Sequence, residues 1–382
     1  MFRSGLAGVF ITLWVPGVAL GQGQVTILDE LGRTSASQKG SLLVYPKVEI
    51  RWNARHQLVQ DTFLTLDNDL NADVDIEMYL ICETGPLVNN TFTLTQNEAA
   101  YWSACTGDPM SLSPWTVLEE PYPDPEGSDD LVLRGHLLLW AIDMEYHEIR
   151  WNHLYGGATL VNYRDGSAWE YTAYAFPVVD PSVANGQQSG TPGVLNLDGE
   201  EYALGLSNLL LDFFASGSVG LSSDQYGVMV DTDLTLLVLS HDLRQEGTGP
   251  LATKASFDIW NANEVRFSGM EHCVYAWDQT LLGLLGGHFL RQNLHTDKGC
   301  ARITGLASSL CEESTDEALL GVGAKMLFAG PEEISMSGTN LAGSGELAAV
   351  IKYDPQELSP EKTDRDETGD AGGSGAGRQG ER

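Results

Sequence analysis

From Leu42 onward the chain repeats with period two. In YPKVEIRW, Val48, Ile50 and Trp52 fall on one face and Lys47, Glu49 and Arg51 on the other. DVDIEMYL repeats the pattern, with Val74, Ile76, Met78 and Leu80 opposite Asp73, Asp75, Glu77 and Tyr79. Alternate side chains of an extended chain point to opposite sides, so these runs predict antiparallel strands with one buried face. TFTLT, EIRWNHL, ATLVNY and EYTAYAF extend the series, and LVLRGHLLLWAI, apolar on both faces, predicts a central strand. Later strands are predicted in DLTLLVLS, SFDIWNANEVRFS, HCVYAWDQTLL, HFLRQNL, CARITGLA, LLGVGAKMLFA and ELAAVIKY. LGLSNLLLDFFASG, 204–217, is open between strand and short helix. Thr296-Asp297-Lys298-Gly299 reads as a hairpin turn, with Gly299 placed for positive φ. Abundant Gly and scarce helical periodicity complete an all-β expectation.

Polar stretches divide the chain. Residues 1–21 carry Arg3, an apolar run of about fifteen residues and small residues at Ala19 and Gly21, the pattern of a signal peptide. The run is shorter than the ~20 residues that span a bilayer, and no span is expected in the mature chain. VVDPSVANGQQSGTPG, Val178 to Gly193, marks an expected linker at 179–200. Two immunoglobulin-like antiparallel β-sandwich domains in tandem are therefore expected, at 40–178 and 201–354. The segment 355–382 is too polar to bury a core and reads as a disordered acidic tail. PYPDPEGSDD, Pro121 to Asp130, reads as a wet loop.

The formal charge is -32, from 53 acids and 21 bases. Such a surface repels phosphate backbones, so nucleic acid is not an expected partner. Five cysteines in an exported chain predict disulfides with one thiol left over. Cys82 with Cys105 and Cys273 with Cys300 are the preferred pairs, leaving Cys311, and each bridge would contribute ~2–4 kcal/mol.

Candidate sites are few. Asp67, Asp69, Asn71 and Asp73 in LDNDLNADVDIE have the alternate oxygens of a calcium loop. Ala72 stands where an EF-hand needs Gly, however, and Met78 where it needs Glu. The segment is better read as a strand–turn–strand, with calcium outside the EF-hand frame as the one cofactor considered. His147 and His153 in HEIRWNH would stand roughly 20 Å apart on a strand at ~3.3 Å per residue, too far to share an ion. No serine elbow, phosphate loop or dinucleotide fingerprint is present. A glycosidase-like carboxylate pair has no specific signal among so many acids. Asn89-Asn90-Thr91 matches a glycosylation acceptor. Trp102, Trp115 and Trp169 would stack on sugar rings if exposed and fill the core if buried.

EIRWNAR and DIWNANE share an Ile, a Trp-Asn pair and an Ala, and the RWN triplet recurs at Arg150 to Asn152. EIRWNHLYGGATLVNYRDGSAWEYTAYAF, FDIWNANEVRFSG and CVYAWDQTLL resemble segments of uncharacterised secreted bacterial proteins. That resemblance implies bacterial export and carries no activity. The expectation is a non-catalytic secreted or cell-surface protein with a structural or adhesive role and an unknown protein or glycan partner. The alternatives are a carbohydrate-binding module or, third, a secreted hydrolase.

Overall fold

The computed structural model describes residues 38–117, 119–143, 146–179, 192–219, 228–244, 251–312, 314–329 and 332–355. The expected leader, most of the expected linker and the acidic tail beyond residue 355 lie outside them. The described chain is nearly all β, in several antiparallel sheets.

In the first half, ten strands form one sheet: β1 (Leu42–Trp52), β2 (Leu58–Asn68), β3 (Val74–Cys82), β4 (Leu87–Leu94), β5 (Ala99–Ser103), β6 (Tyr122–Pro123), β7 (Leu131–Ile142), β8 (Leu154–Asn162), β9 (Ser167–Thr172) and β10 (Tyr174–Phe176). The order is β4-β3-β7-β1-β2-β8-β9, with β10 on β1, β5 on β2 and β6 on β7. The sheet closes on itself in a sandwich-like way. Phe92 of β4 and Trp102 of β5 come from distant strands, yet their rings meet edge to face at 5.9 Å. Val48, Ile50, Val74, Ile76, Leu80, Leu133 and Leu137 fill the enclosed core.

The second half holds three sheets. Its strands are β11 (Val194–Leu197), β12 (Asn208–Phe214), β13 (Gly217–Val219), β14 (Val228–Val238), β15 (His241–Asp242), β16 (Ala252–Asn261), β17 (Arg266–Tyr275), β18 (Trp277–Leu281), β19 (Lys298–Leu306), β20 (Leu319–Ala329), β21 (Glu332–Asn340), β22 (Ala342–Ser344) and β23 (Ala349–Lys352). The orders are β11-β23-β15, β17-β16-β19-β12-β22 and β13-β14-β20-β21, with β18 on β14. LGLSNLLLDFF resolves as strand: β12 alternates buried Leu209, Leu211 and Phe213 with exposed Leu210 and Asp212. HFLRQNL does not. It forms a 3₁₀ turn at Gly287–Phe289 and a single helical turn at Arg291–Leu294. The left-handed residue entering β19 is His295, φ 57°, not Gly299. Gly299 is needed for another reason: a Cβ there would stand 2.6 Å from Phe213 Cζ and from Trp260 O.

The halves share their core. β7 is central as expected, between β3 and β1. Its Leu133, Leu137 and Leu139 face the first core. Its Leu138, Trp140 and Ile142 join Leu195, Leu209, Leu236, Phe257 and Tyr353 in a second cluster drawn from both halves. Val322 and Ala324 of β20 in turn enter the first core. The Trp277 indole donates to Pro46 O at 2.6 Å, and Tyr174 OH bonds Gly321 O and Leu341 O. His136 and His241 meet Nε2 to Nε2 at 2.7 Å.

The disulfide is Cys273–Cys311. The expected Cys273–Cys300 pair does not form, because β16 lies between their strands, β17 and β19. Two strand spacings put their backbones roughly 10 Å apart, beyond the ~7 Å that a disulfide spans. Cys82 and Cys105 are also unbonded. β7, β1 and β2 separate β3 from β5, the strand that leads into Cys105.

The faint repeat is a turn. Asn53 and Asn261 each close a strand, and each side-chain oxygen accepts backbone N–H groups two and four residues on. His56 (φ 57°) and Glu264 (φ 60°) occupy the same left-handed position. The third copy differs: Asn152 bonds both N–H and C=O of Val178.

Candidate functional site

A cleft of about 490 Å³ opens where the first sheet meets β14, β18, β20 and β21. Its polar wall begins with a bulge. Tyr45 pairs with Leu137 and Val48 with Gly135, so Pro46 and Lys47 together oppose His136. A bulge of this kind re-aims the side chains that follow it. Leu43 and Tyr45 face the first core before it, and Val48 and Ile50 after it. Lys47, Glu49 and Arg51 consequently face the second half rather than solvent. Tyr171 holds the bulge, its OH accepting from Lys47 N–H and donating to Lys47 O.

The three charged side chains form a buried network. Lys47 Nζ lies 2.6 Å from Asp233 Oδ2 on β14 and 3.1 Å from Glu49 Oε2. Arg51 pairs with Glu49 through Nε and with Asp124 Oδ2 at 2.7 Å. Gln279 Nε2 donates to Glu49 at 3.2 Å and to Asp233 at 3.1 Å. Arg134 Nε reaches Glu83 at 2.7 Å, and its guanidinium lies over the Trp277 ring. The acidic loop, read from sequence as wet, folds over the network. Asp124 is buried and accepts from Glu126 N–H and Ser128 OH. Arg164 pairs with Asp130 at 2.7 Å at the outer end.

The network sets the protonation states. Burial opposes ionisation of Glu49, but Arg51, Lys47 and Arg134 outweigh it and hold the carboxyl well below its usual range. Burial likewise opposes the charge on Lys47, and Asp233 and Glu49 keep the ammonium protonated. Asp124 is held low by Arg51 and Ser128 against its own burial. Glu126 differs. Burial, with Asp233 and Glu49 nearby, pushes it up to about 8 although Arg51 and Lys47 pull the other way. Near pH 7 the cleft therefore holds several carboxylates and one carboxylic acid.

The opposite wall is apolar, with Leu281, Met326, Phe328 and Met336, and Trp169 beside them. The cleft pairs ionic groups with a greasy face, a combination suited to a small ligand or to one side chain of a larger partner.

The residues singled out in the sequence are mostly elsewhere. Trp102 and Trp115 are buried in the first core and cannot stack on an external sugar. Trp169 is 7% exposed and lines the cleft, so it joins the site at its wall. Asp67, Asp69, Asn71 and Asp73 do not converge. Asp69 pairs with Lys39, and Asp73 accepts the Gln96 N–H. Among the described residues no group of three His, Cys, Asp or Glu side chains could hold a metal ion. His147 and His153 lie in an irregular segment before β8, where His153 is buried and bonds Trp151 O. Lys47, Glu49, Arg51, Asp124, Glu126 and Asp233 were missed. The available signal was a Lys-x-Glu-x-Arg alternation just after a Pro inside a strand.

No protein-family model matches the chain, and no curated protein matches it. Among solved structures, the CupB6 tip adhesin from Pseudomonas aeruginosa is 11% identical over 83% of this chain and 92% of its own, with a TM-score of 0.13. A protein described as a β-galactosidase from Bacteroides fragilis is 10% identical over 83% of this chain and 37% of its own, at 0.15. Likenesses this low carry no functional argument. Among the described residues no helix is long and apolar enough to cross a membrane.

Proposed function

We propose that this is an exported, non-catalytic binding protein, structural or adhesive in role, that takes its partner at the charged cleft between its two sandwich-like halves. One observation carries the reading: the cleft's ionic wall is assembled in advance, with Glu49, Asp124, Asp130 and Asp233 each held by a lysine or arginine. Carboxylates so committed recognise and orient, whereas a glycosidase pair needs two carboxyls free to exchange a proton or attack. Export accords with the leader pattern and with a disulfide, since disulfides persist in oxidising compartments. Trp169 at the wall keeps a glycan partner within the same reading.

The test has two parts. Chromogenic glycosides, esters and peptides incubated with the protein are expected to give no turnover. On protein and glycan arrays the native chain is expected to bind a partner, and Ser128→Trp, which fills the cleft mouth, to abolish that binding. Turnover that S128W abolishes would replace the binding reading with a hydrolase. Partner binding untouched by S128W would move the site elsewhere.

A further inference from the structure

Most of the groups left without partners in and beside the cleft are acceptors. Asp233 Oδ1 has no hydrogen-bond partner, although its side chain is only 8% exposed. Glu126 Oε1 has none either; its neighbour Arg134 Nη1 stands 3.5 Å away, beyond a normal N–H···O distance. Gln279 Oε1, on the amide whose nitrogen donates to Asp233, is a third. These three are acceptors, and Arg134 Nη1, beside Glu126, is the one donor near them left likewise unpaired. The cleft's own cations, Lys47, Arg51 and Arg164, are already committed to carboxylates. Unpaired acceptors thus outnumber the donors left to meet them.

Charge points the same way. Glu49, Asp124, Glu126, Asp130, Asp165 and Asp233 line the cleft against three basic side chains. A buried excess of negative charge is costly, and burial beside Asp233 and Glu49 pushes Glu126 toward its protonated form. A ligand cation would meet it better. The facing wall of Leu281, Met326, Phe328 and Met336 suits an alkyl stem behind such a head group.

We infer that the cleft binds a protonated amine on an apolar stem, as a lysine side chain of a partner protein supplies. The assignment rests on the cleft being the binding site and names what it takes. The ammonium would donate to Asp233 Oδ1 and to the ionised Glu126, and the displaced proton leaves to solvent. The charged groups facing Glu126 are Lys47, Glu49 and Arg51 from β1, Arg134 from β7, Asp124 from its own loop and Asp233 from β14. Lys47, Arg51 and Arg134 are held protonated, and Glu49 and Asp124 ionised, so none of these five changes charge between pH 6 and 8.

Titration calorimetry tests this on the intact protein with three probes: a Gly-Lys-Gly peptide with blocked ends, the same peptide acetylated on the lysine nitrogen, and cellotetraose. The free lysine peptide is expected to bind about tenfold more tightly at pH 7 than at pH 6. That is the linkage for one proton displaced below the pKa of the free group. Runs in two buffers of different ionisation enthalpy are expected to show close to one proton released. Glu126→Gln, which mimics the protonated side chain and so preserves the fold, is expected to weaken binding and erase both the pH dependence and the proton release. Asp233→Asn is expected to weaken it further. Equal binding of the acetylated peptide, or a flat pH profile in the native protein, overturns the inference. Cellotetraose binding that S128W abolishes, with no amine binding, also overturns it but leaves the cleft as the binding site.

Discussion

Lys47 shows how far one side chain can be followed by pattern alone. Its alternation with Val48 is legible, and so is its opposition to the apolar face. Its destination is not, because Asp233 is 186 residues away and the bulge at Pro46 decides which side the charge takes. Removing one member of a buried ion pair leaves the other charge uncompensated and costs ~3–5 kcal/mol. Lys47→Met is accordingly expected to lower stability in guanidinium unfolding by about that amount. A loss under ~1 kcal/mol would show that the pair is solvated, as exposed pairs are. The same reach explains the tryptophans: sequence shows an aromatic in or near a strand, and only the packing tells core from cleft wall.

At the scale of elements, most strands were legible and their partners were not. β7 announces itself by apolar residues on both faces, whereas β3 reads as a strand with one buried face; both lie between the two cores. The Trp-Asn-Ala segments announced a repeat, and its physical content is a hairpin turn with a left-handed fourth residue. His56 and Glu264 pay a steric cost there that glycine avoids. Glu264→Gly is therefore expected to raise the melting temperature by a few degrees, for a gain of roughly 1 kcal/mol. An unchanged or lower value would mean that Glu264 makes a compensating contact. Where β9 meets β21, no sequence signal exists. Gly338 lies flat against Trp169, where a Cβ would come within 1.8 Å of the indole. Asn340 bonds Thr172 with both ends of its amide, as another strand's backbone would. Both contacts join residues 168 or more positions apart and need exact strand placement.

At the scale of the molecule, buried titratable groups link stability to pH in opposite directions. Glu77 and Glu126 are pushed up to about 8 and Glu148 to about 7, in each case chiefly by burial. Unfolded, they would ionise near the ordinary carboxylate value, so the stability they lend as neutral groups is full below pH ~4.5 and lost as pH rises through 7 to 8. His136 and His241 are pushed down, His241 to about 4, by burial. Their contribution is full above pH ~6.5 and lost as pH falls toward 4. The three carboxyls outweigh the two histidines once the unfolded carboxyls ionise, so melting temperature is expected to peak at pH ~4.5–5 and to fall toward pH 8. A peak at pH 8 or above would contradict the buried neutral carboxyls. Because the second cluster takes side chains from both halves, thermal unfolding is expected to be one transition, with near-ultraviolet and far-ultraviolet signals coincident.

The sequence by itself determined the all-β class, the central place of β7, the recurrence of the Trp-Asn-Ala segments and the large net negative charge. Each of these follows from residues within one or two turns of chain, where side-chain alternation and local backbone preference act. Only the tertiary structure decided that the disulfide joins Cys273 to Cys311, that the expected strand SFDIWNANEVRFS breaks into β16 and β17 at the Asn261 turn, that the halves share a core, and that Lys47, Glu49 and Arg51 face other protein groups instead of water. Those outcomes depend on which strand lies beside which and on a one-residue change of phase at a bulge. A chain read in order fixes the faces of its strands, but burial on a face depends on what a distant segment brings against it.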